Sequence, residues 1–303
     1  MSTIDRWPSV GVVIPTRDRP QELRRALGAV LEQDYPGEVE VVVVFDGSER
    51  DTSLESQDVR TVENARTPGL AGGRNTGILS LGTDLVAFCD DDDEWLPGKL
   101  DAQVRALSAS GADFVTTGVL VSYGDRTVPR LAGVEVISRE QLLRSRMAML
   151  HSSTFVIARQ PLLETIGLVD ESIPGAQGED WDLLIRAAEA QPIVHVDEPL
   201  VRVFWSANSY FGRRWDTKLA SLRWMLERHP DLTRDRRAAA RVYGQLAFAH
   251  AAHGDTRDAL SWSARAALRS PLEPRAYIAA AVALRLVSSE RVLASLHRRG
   301  RGV

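Results

Sequence analysis

The chain has 303 residues, of which 44% are hydrophobic and 26% charged, and its formal net charge is −4. These values suit a globular protein of one large domain or two, and they exclude disordered and collagen-like chains. A single cysteine, Cys89, excludes an internal disulfide framework, so a reducing, cytoplasmic setting is expected.

Met1 to Ser9 has no basic region followed by an apolar stretch, so no secretory leader is expected there. Val10 to Pro15 is an apolar run of buried-strand character, and Thr16-Arg-Asp-Arg-Pro20 follows as a loop. From Gln21 to Gln33, Leu23, Ala26, Leu27, Val30 and Leu31 form a helical stripe, stopped by Tyr35-Pro-Gly37. Val39 to Phe45 is nearly unbroken in β-branched residues, as where both sheet faces are covered, and Asp46-Gly-Ser48 turns the chain at its end. Asp58 to Glu63 is a third strand candidate. Pro68-Gly69 and Gly72-Gly73 predict a loop, and Arg74 to Leu81 a short helix.

Leu85 to Cys89 is a fourth strand, and it runs into five consecutive acids, Asp90 to Glu94. Neighbouring carboxylates repel, so such a run belongs on a solvated turn or around a cation. Hard oxygen donors suit Mg²⁺ or Mn²⁺. Cys89 itself reads as a small core residue. Lys99 to Ser110 is helical, Ala112 to Tyr123 is a strand or hairpin, and Ile193 to Val196 is a short strand. Ser138 to Leu143, Gln160 to Ile166 and Asp180 to Glu189 are further helical segments. Strands alternating with helices predict an α/β layer fold with a largely parallel sheet.

From about Phe211 no strand-like run is evident and the periodicity is helical. Residues 240–273 match one tetratricopeptide pattern, with Gly254 at the turn and Pro271 at the exit. Residues 1–209 carry 19 Lys and Arg against 33 Asp and Glu, a balance of −14, whereas residues 210–303 carry 18 against 8, a balance of +10. The expected division is therefore a catalytic domain over 1–210 and a helical region over 211–303, its hairpin packed on the domain or on a partner. The longest apolar helical stretch, Ala276 to Leu284, is too short to span a bilayer about 30 Å thick.

Four loops carry the chemistry: Pro15 to Pro20, Phe45 to Ser48, Gly69 to Gly77 and Asp90 to Asp93. In a parallel sheet the carboxyl ends of strands share one edge, where small residues, an Arg and carboxylates suit a nucleotide diphosphate with a bridging metal. Together with Arg74-Asn-Thr-Gly77, Asp90-Asp-Asp-Asp93 before Trp95, Pro97-Gly-Lys-Leu100 and Gly178-Glu-Asp-Trp-Asp-Leu-Leu-Ile-Arg186, they resemble the inverting glycosyltransferases of family 2 over roughly residues 8–209.

The resemblance implies a GT-A fold, here with an all-α C-terminal extension, a nucleoside-diphosphate-sugar donor and a Mn²⁺ or Mg²⁺ cofactor. The acceptor would be a saccharide, a lipid-linked molecule or another alcohol. Pro15, Thr16 and Arg17 would line the nucleobase pocket, and Asp46 would accept hydrogen bonds from the base. Phe45 stands where relatives often have a first acid. Arg74 would lie near base or phosphates, with Asp90 near ribose and metal. Asp92 would bind the metal, and the fourth consecutive acid leaves Asp91 and Asp93 as alternates. Asp180 would be the catalytic base, with Glu179 as its alternate. Glu179, Trp181 and His151 are the candidates for acceptor contact or support. Trp205 lies where many relatives have a His-containing segment, so no metal-facing His is expected there.

Other readings of the same residues stand beside this one. Gly178-Glu-Asp-Trp181 also suits an ordinary helix N-terminus. A sugar-nucleotide nucleotidyltransferase would have a Gly-rich loop after strand one, which Thr16-Arg-Asp-Arg-Pro20 is not. A non-catalytic nucleotide-binding scaffold is the third reading. The basic tail, ending His297-Arg-Arg-Gly-Arg301, is a candidate for peripheral contact with the cytoplasmic membrane face, against a plain solvated helix face. No aromatic and basic nucleic-acid motif is present, so no nucleic-acid partner is expected.

Overall fold

The computed structural model describes residues 6–205 and 214–297. Phe211, where the helical region is predicted to begin, and the basic ending after His297 lie outside the described residues. The chain runs β1 (Val10–Thr16), α1 (Pro20–Leu31), β2 (Val39–Phe45), β3 (Val59–Glu63), α2 (Leu70–Ser80), β4 (Leu85–Phe88), β5 (Glu94–Trp95), α3 (Lys99–Ser110) and β6 (Phe114–Tyr123). There follow β7 (Arg126–Arg130), β8 (Val136–Ile137), α4 (Arg139–Arg144), β9 (Val156–Ala158), α5 (Arg159–Pro161), α6 (Glu179–Ala190) and β10 (Ile193–Phe204). The remainder is helical: α7 (Trp215–Arg228), α8 (Arg236–His253), α9 (Thr256–Arg269), α10 (Pro274–Ala283) and α11 (Ser289–His297).

One mixed sheet has the order β3-β2-β1-β4-β9-β6-β10-β5, with β7 beside β6 and β8 beside β10. β1 pairs in parallel with β2 and β4, and β2 in parallel with β3. The short β9 inserts antiparallel between β4 and β6. The pleat explains the sequence. Alternate residues of β1 enter opposite cores, Val13 on one face and Val12 and Ile14 on the other. Both faces are covered, α1 and α3 lying on one and α2 and α6 on the other. This is why β1 and β2 are apolar along nearly their whole length.

α2 begins at Leu70 rather than at Arg74, so Gly72 and Gly73 lie inside a helix. Glycine weakens helices in general, which is why this stretch reads as a loop. Packing requires it here. A Cβ on Gly72 would lie 1.9 Å from the Thr67 carbonyl oxygen, and one on Gly77 2.3 Å from Val13 Cγ1. Only glycine lets the helix press this closely onto β1.

The C-terminal helices have a small core of their own, with Phe248, Ala259, Ala279 and Val282, but α7 and one side of α8 pack on the sheet domain. Leu219, Leu222 and Met225 of α7 and Val242 and Leu246 of α8 join the same apolar cluster as Trp181, Leu184 and Ile193. α8 starts on a capping Asp235 and stops at Gly254, whose φ of 103° turns the chain into α9. Among the described residues no helix is long and apolar enough to cross a membrane.

Candidate active site

The parallel strands β1 to β4 deliver their following loops to one edge of the sheet. Asp46 donates its backbone N–H to the Thr16 carbonyl at 3.0 Å, so the ends of β1 and β2 are tied. The Asp46 carboxylate accepts from Asn64 Nδ2 at 2.7 Å and from the Gly69 backbone at 2.9 Å, which joins it to the start of α2. Thr16 donates its hydroxyl to Asp91 Oδ2 at 2.8 Å, joining β1 to the acid run. Pro15 lies beneath Gly73. Arg17 is 62% exposed, its guanidinium 3.9 Å from Asp46.

The acid run is not a uniform solvated turn. Asp93 is buried, accepting from Ser153 Oγ at 2.5 Å with His151 Nδ1 at 3.2 Å. Asp90 accepts from Arg74 at 2.5 Å and from Ser152 Oγ at 3.1 Å. Asp91 and Asp92 share Arg19, whose Nη1 lies 3.1 Å from one and 2.7 Å from the other. Arg74 is 1% exposed and bridges two halves of the site, with its other terminal nitrogen on Glu179 at 2.6 Å. Asp180 stands next in sequence. Contacts thus link Asp46, Thr16 and the acids, and Arg74 links Asp90 to Glu179; Asp180 follows Glu179 in the chain, and its own side chain bonds to Arg146 and the Trp181 backbone.

α6 begins after Gly178, which sits in the left-handed region at φ 95°. Its first turn is Glu179, Asp180, Trp181 and Asp182, so acidic groups lie at the positive end of the helix dipole. No side chain caps this terminus. Glu179 is committed inward to Arg74, whereas Asp180 lines a cavity of about 490 Å³ together with His151, Met149 and Trp205. Arg146 Nη2 lies 3.0 Å from both Asp180 oxygens, and the Trp181 backbone N–H donates to Oδ1 at 2.7 Å. Oδ2 therefore retains the greater free acceptor capacity. Trp181 itself is 4% exposed and donates its indole N–H to the Leu142 carbonyl at 2.9 Å, so it supports the helix from beneath.

Burial drives the electrostatics, and fixed partners decide its sign at each group. Burial pushes the Asp180 carboxyl up, but the charges of Arg146 and His151 outweigh it and hold the group below its usual value. Asp180 is thus ionised at neutral pH. Burial raises Glu179 despite Arg74. Asp92 is pushed up to about 7, by burial first and then by Asp93 and Asp90. Burial lowers His151, yet Asp93 and Asp90 bring it to about 9. This excess of negative charge fits a divalent ion. Asp90, Asp93 and His151 present ligand atoms within 4.8 Å of one another, and Arg19 already bridges Asp91 and Asp92 as a cation would.

Arg19, Arg146 and Glu171 did not stand out in the sequence. Their only local signal is charge, and each partner lies far along the chain. Glu171 accepts from Asn75 Nδ2 at 2.6 Å and from the Thr67 backbone at 3.2 Å, and it also takes Arg66, so it clamps the start of α2. Burial pushes its carboxyl up, but these donors outweigh it and hold the group at about 2. A depressed folded-state value means that this stabilisation is complete above the ordinary value of 4.5 and is lost as pH falls towards 2. Chemical denaturation at several pH values should show Glu171→Gln removing roughly 1–2 kcal/mol of acid-sensitive stability, after solvent screening. An unchanged slope below pH 4.5 would mean that the clamp is energetically silent.

Comparison with known proteins bears on the family and the fold. The family model for glycosyl transferase family 2 matches residues 11–164. A glucosyltransferase of Campylobacter jejuni, GalNAc(5)-diNAcBac-PP-undecaprenol beta-1,3-glucosyltransferase, is 32% identical over 210 residues, covering 65% of this chain and 65% of its own. The Escherichia coli UDP-Glc:alpha-D-GlcNAc-diphosphoundecaprenol beta-1,3-glucosyltransferase WfgD is 25% identical over 141 residues, covering 45% of this chain and 55% of its own. The chain spans about half the length of several curated relatives it matches. Among solved structures, S. aureus TarS 1–349 with UDP-GlcNAc superposes with a TM-score of 0.60 at 17% identity, covering 97% of this chain and 92% of that one. The Pyrobaculum calidifontis mannosyltransferase PcManGT with GDP-Man and Mn²⁺ gives 0.56 at 18% identity, covering 95% and 83%. At these identities the likeness to solved structures is one of fold.

Proposed function

The chain belongs to glycosyl transferase family 2, and from that premise we propose that it moves a sugar from a nucleoside-diphosphate sugar to an acceptor hydroxyl with inversion at the anomeric carbon. The observation that carries this reading is that Arg74 ties the acid run to Glu179, and the next residue, Asp180, lines an open cavity. Asp46 and Thr16 form the donor end, and Arg17 lies at its rim. Asp180 forms the acceptor end. Its ionised carboxylate takes the proton from the incoming hydroxyl at Oδ2, the less engaged oxygen, while Arg146 and the helix terminus hold it in place. The hydroxyl oxygen then bonds to the anomeric carbon as the bond to the diphosphate breaks on the opposite face. One displacement of this kind inverts configuration and needs no second carboxylate as acid.

Asp92, with Asp90 beside it, is the proposed holding pair for Mn²⁺ or Mg²⁺; the set Asp90, Asp93 and His151 is the alternative. When bound, such an ion offsets the charge on the departing diphosphate. Thr16 and Arg19 orient the acids, and Arg74 fixes Asp90.

Calorimetric titration of UDP and GDP with and without Mn²⁺ tests the donor site. Asp92→Ala should weaken the Mn²⁺-dependent affinity at least about tenfold. Unchanged affinity in Asp92→Ala, with loss in Asp93→Ala, would move the ion to the alternative set. No Mn²⁺-dependent nucleotide binding by the unaltered chain would favour a scaffold. Release of pyrophosphate in place of a nucleoside diphosphate would make it a nucleotidyltransferase. Peripheral membrane contact through the basic tail belongs to the same proposal, as a means of reaching a lipid-linked acceptor.

A further inference from the structure

The cavity that Asp180 opens into is cationic, and its far wall comes from the C-terminal helices. Arg241 of α8 and Arg275 of α10 line it together with Arg146 from the loop after α4. Lys218 of α7 lies within electrostatic range of Arg146 and Arg275. The nearby acids are Asp180, paired with Arg146, and Glu273, 2.8 Å from Arg275. Cations thus outnumber carboxylates around the cavity, whose lining also includes Arg130, and among the described residues neither Arg241 nor Lys218 forms an ion pair, although Glu273 lies within electrostatic range of Arg241. Arg241 makes one long hydrogen bond, 3.5 Å to the Arg144 carbonyl, and Nε of Arg275 is buried without a partner.

Unpaired cations held close together are costly. Burial, then Arg275 and Arg146, depress Arg241 to about 10 against the opposing charge of Glu273. Burial, then Arg146 and Arg275, depress Lys218 to about 8. An anion entering the cavity would offset the surplus, and guanidinium forks match the oxygens of a phosphate.

We propose that this cavity binds a phosphate or diphosphate group of the acceptor through Arg241, Arg275 and Arg146, so that the acceptor is a phosphorylated alcohol presented to Asp180. The inference rests on the transferase reading above and adds the substrate class. It also gives the helical region a role in the site, since two of the three guanidiniums lie on α8 and α10.

The test uses hexyl phosphate as probe, titrated calorimetrically into the full chain without divalent ion. The unaltered protein should bind it, and Arg241→Gln/Arg275→Gln should bind at least about tenfold more weakly. In the unaltered protein, hexyl phosphate should also protect Arg241 and Arg275 from phenylglyoxal, read by peptide mass, which needs no variant to fold. No binding by the unaltered protein, equal binding by the folded double variant, or no protection would overturn the proposal. So would binding to phosphatidylglycerol vesicles without binding to soluble hexyl phosphate, since the site would then be reading a lipid surface. Mn²⁺-dependent UDP binding on the same samples reports the donor site separately. Its absence would remove the transferase reading while leaving the phosphate measurement to stand or fall alone.

Discussion

Asp180→Asn should lower sugar transfer by about 10²–10⁴-fold while leaving Mn²⁺-dependent UDP binding intact. The expectation follows from position and charge. Among the described residues Asp180 is the one carboxylate lining the cavity, and it is held below its usual pKa. The amide keeps the size of the side chain and its place on α6 but cannot take a proton. Donor binding should survive because the contacts of Asp46, Thr16 and Asp90 do not include Asp180. Glu179→Gln is the contrasting variant: Glu179 is turned inward to Arg74, so its change should be felt first in stability. Equal loss of binding and transfer in a folded Asp180→Asn protein would take the base role away from this residue.

Arg74→Ala should cost about 3–5 kcal/mol of folding stability, the largest expected for a single charge in the site. The guanidinium is almost fully buried and holds Asp90 at 2.5 Å, Glu179 at 2.6 Å and Ser152 at 2.8 Å. Its removal leaves two carboxylates facing one another out of water with nothing between them. The gain from one buried ion pair over an apolar replacement is small in general, but removing one partner alone is expensive. Urea denaturation at neutral pH measures the difference. A loss below about 1 kcal/mol, the level of an exposed ion pair, would mean that solvent reaches the pair freely.

The loops proposed to form the donor half are legible in the sequence because their parts are local. A strand ending in Pro15-Thr16, an Asp-Gly-Ser turn and a run of acids are each contiguous, and parallel pairing carries all of them to one edge. The start of α2 was misread because Gly72 and Gly73 signal a loop by propensity. Whether they form a helix depends on how close Thr67 and Pro15 come, which is a property of packing. The insertion of β9 between β4 and β6 was likewise hidden, since three residues carry no period.

The sequence by itself determined the main strands of the parallel half and most of the helices, and it supplied the side chains proposed to serve a diphosphate and a metal. Periodicity and residue type are enough for that, because they express each segment's own preference for water or core. Only the tertiary structure decided how the charges are matched. Arg74 meets Glu179 across 105 positions, and Arg146 meets Asp180 across 34. Arg241 and Arg275 reach the cavity of Asp180 from helices at the other end of the chain. Coulombic energy depends on distance in space and on local burial, neither of which sequence order records.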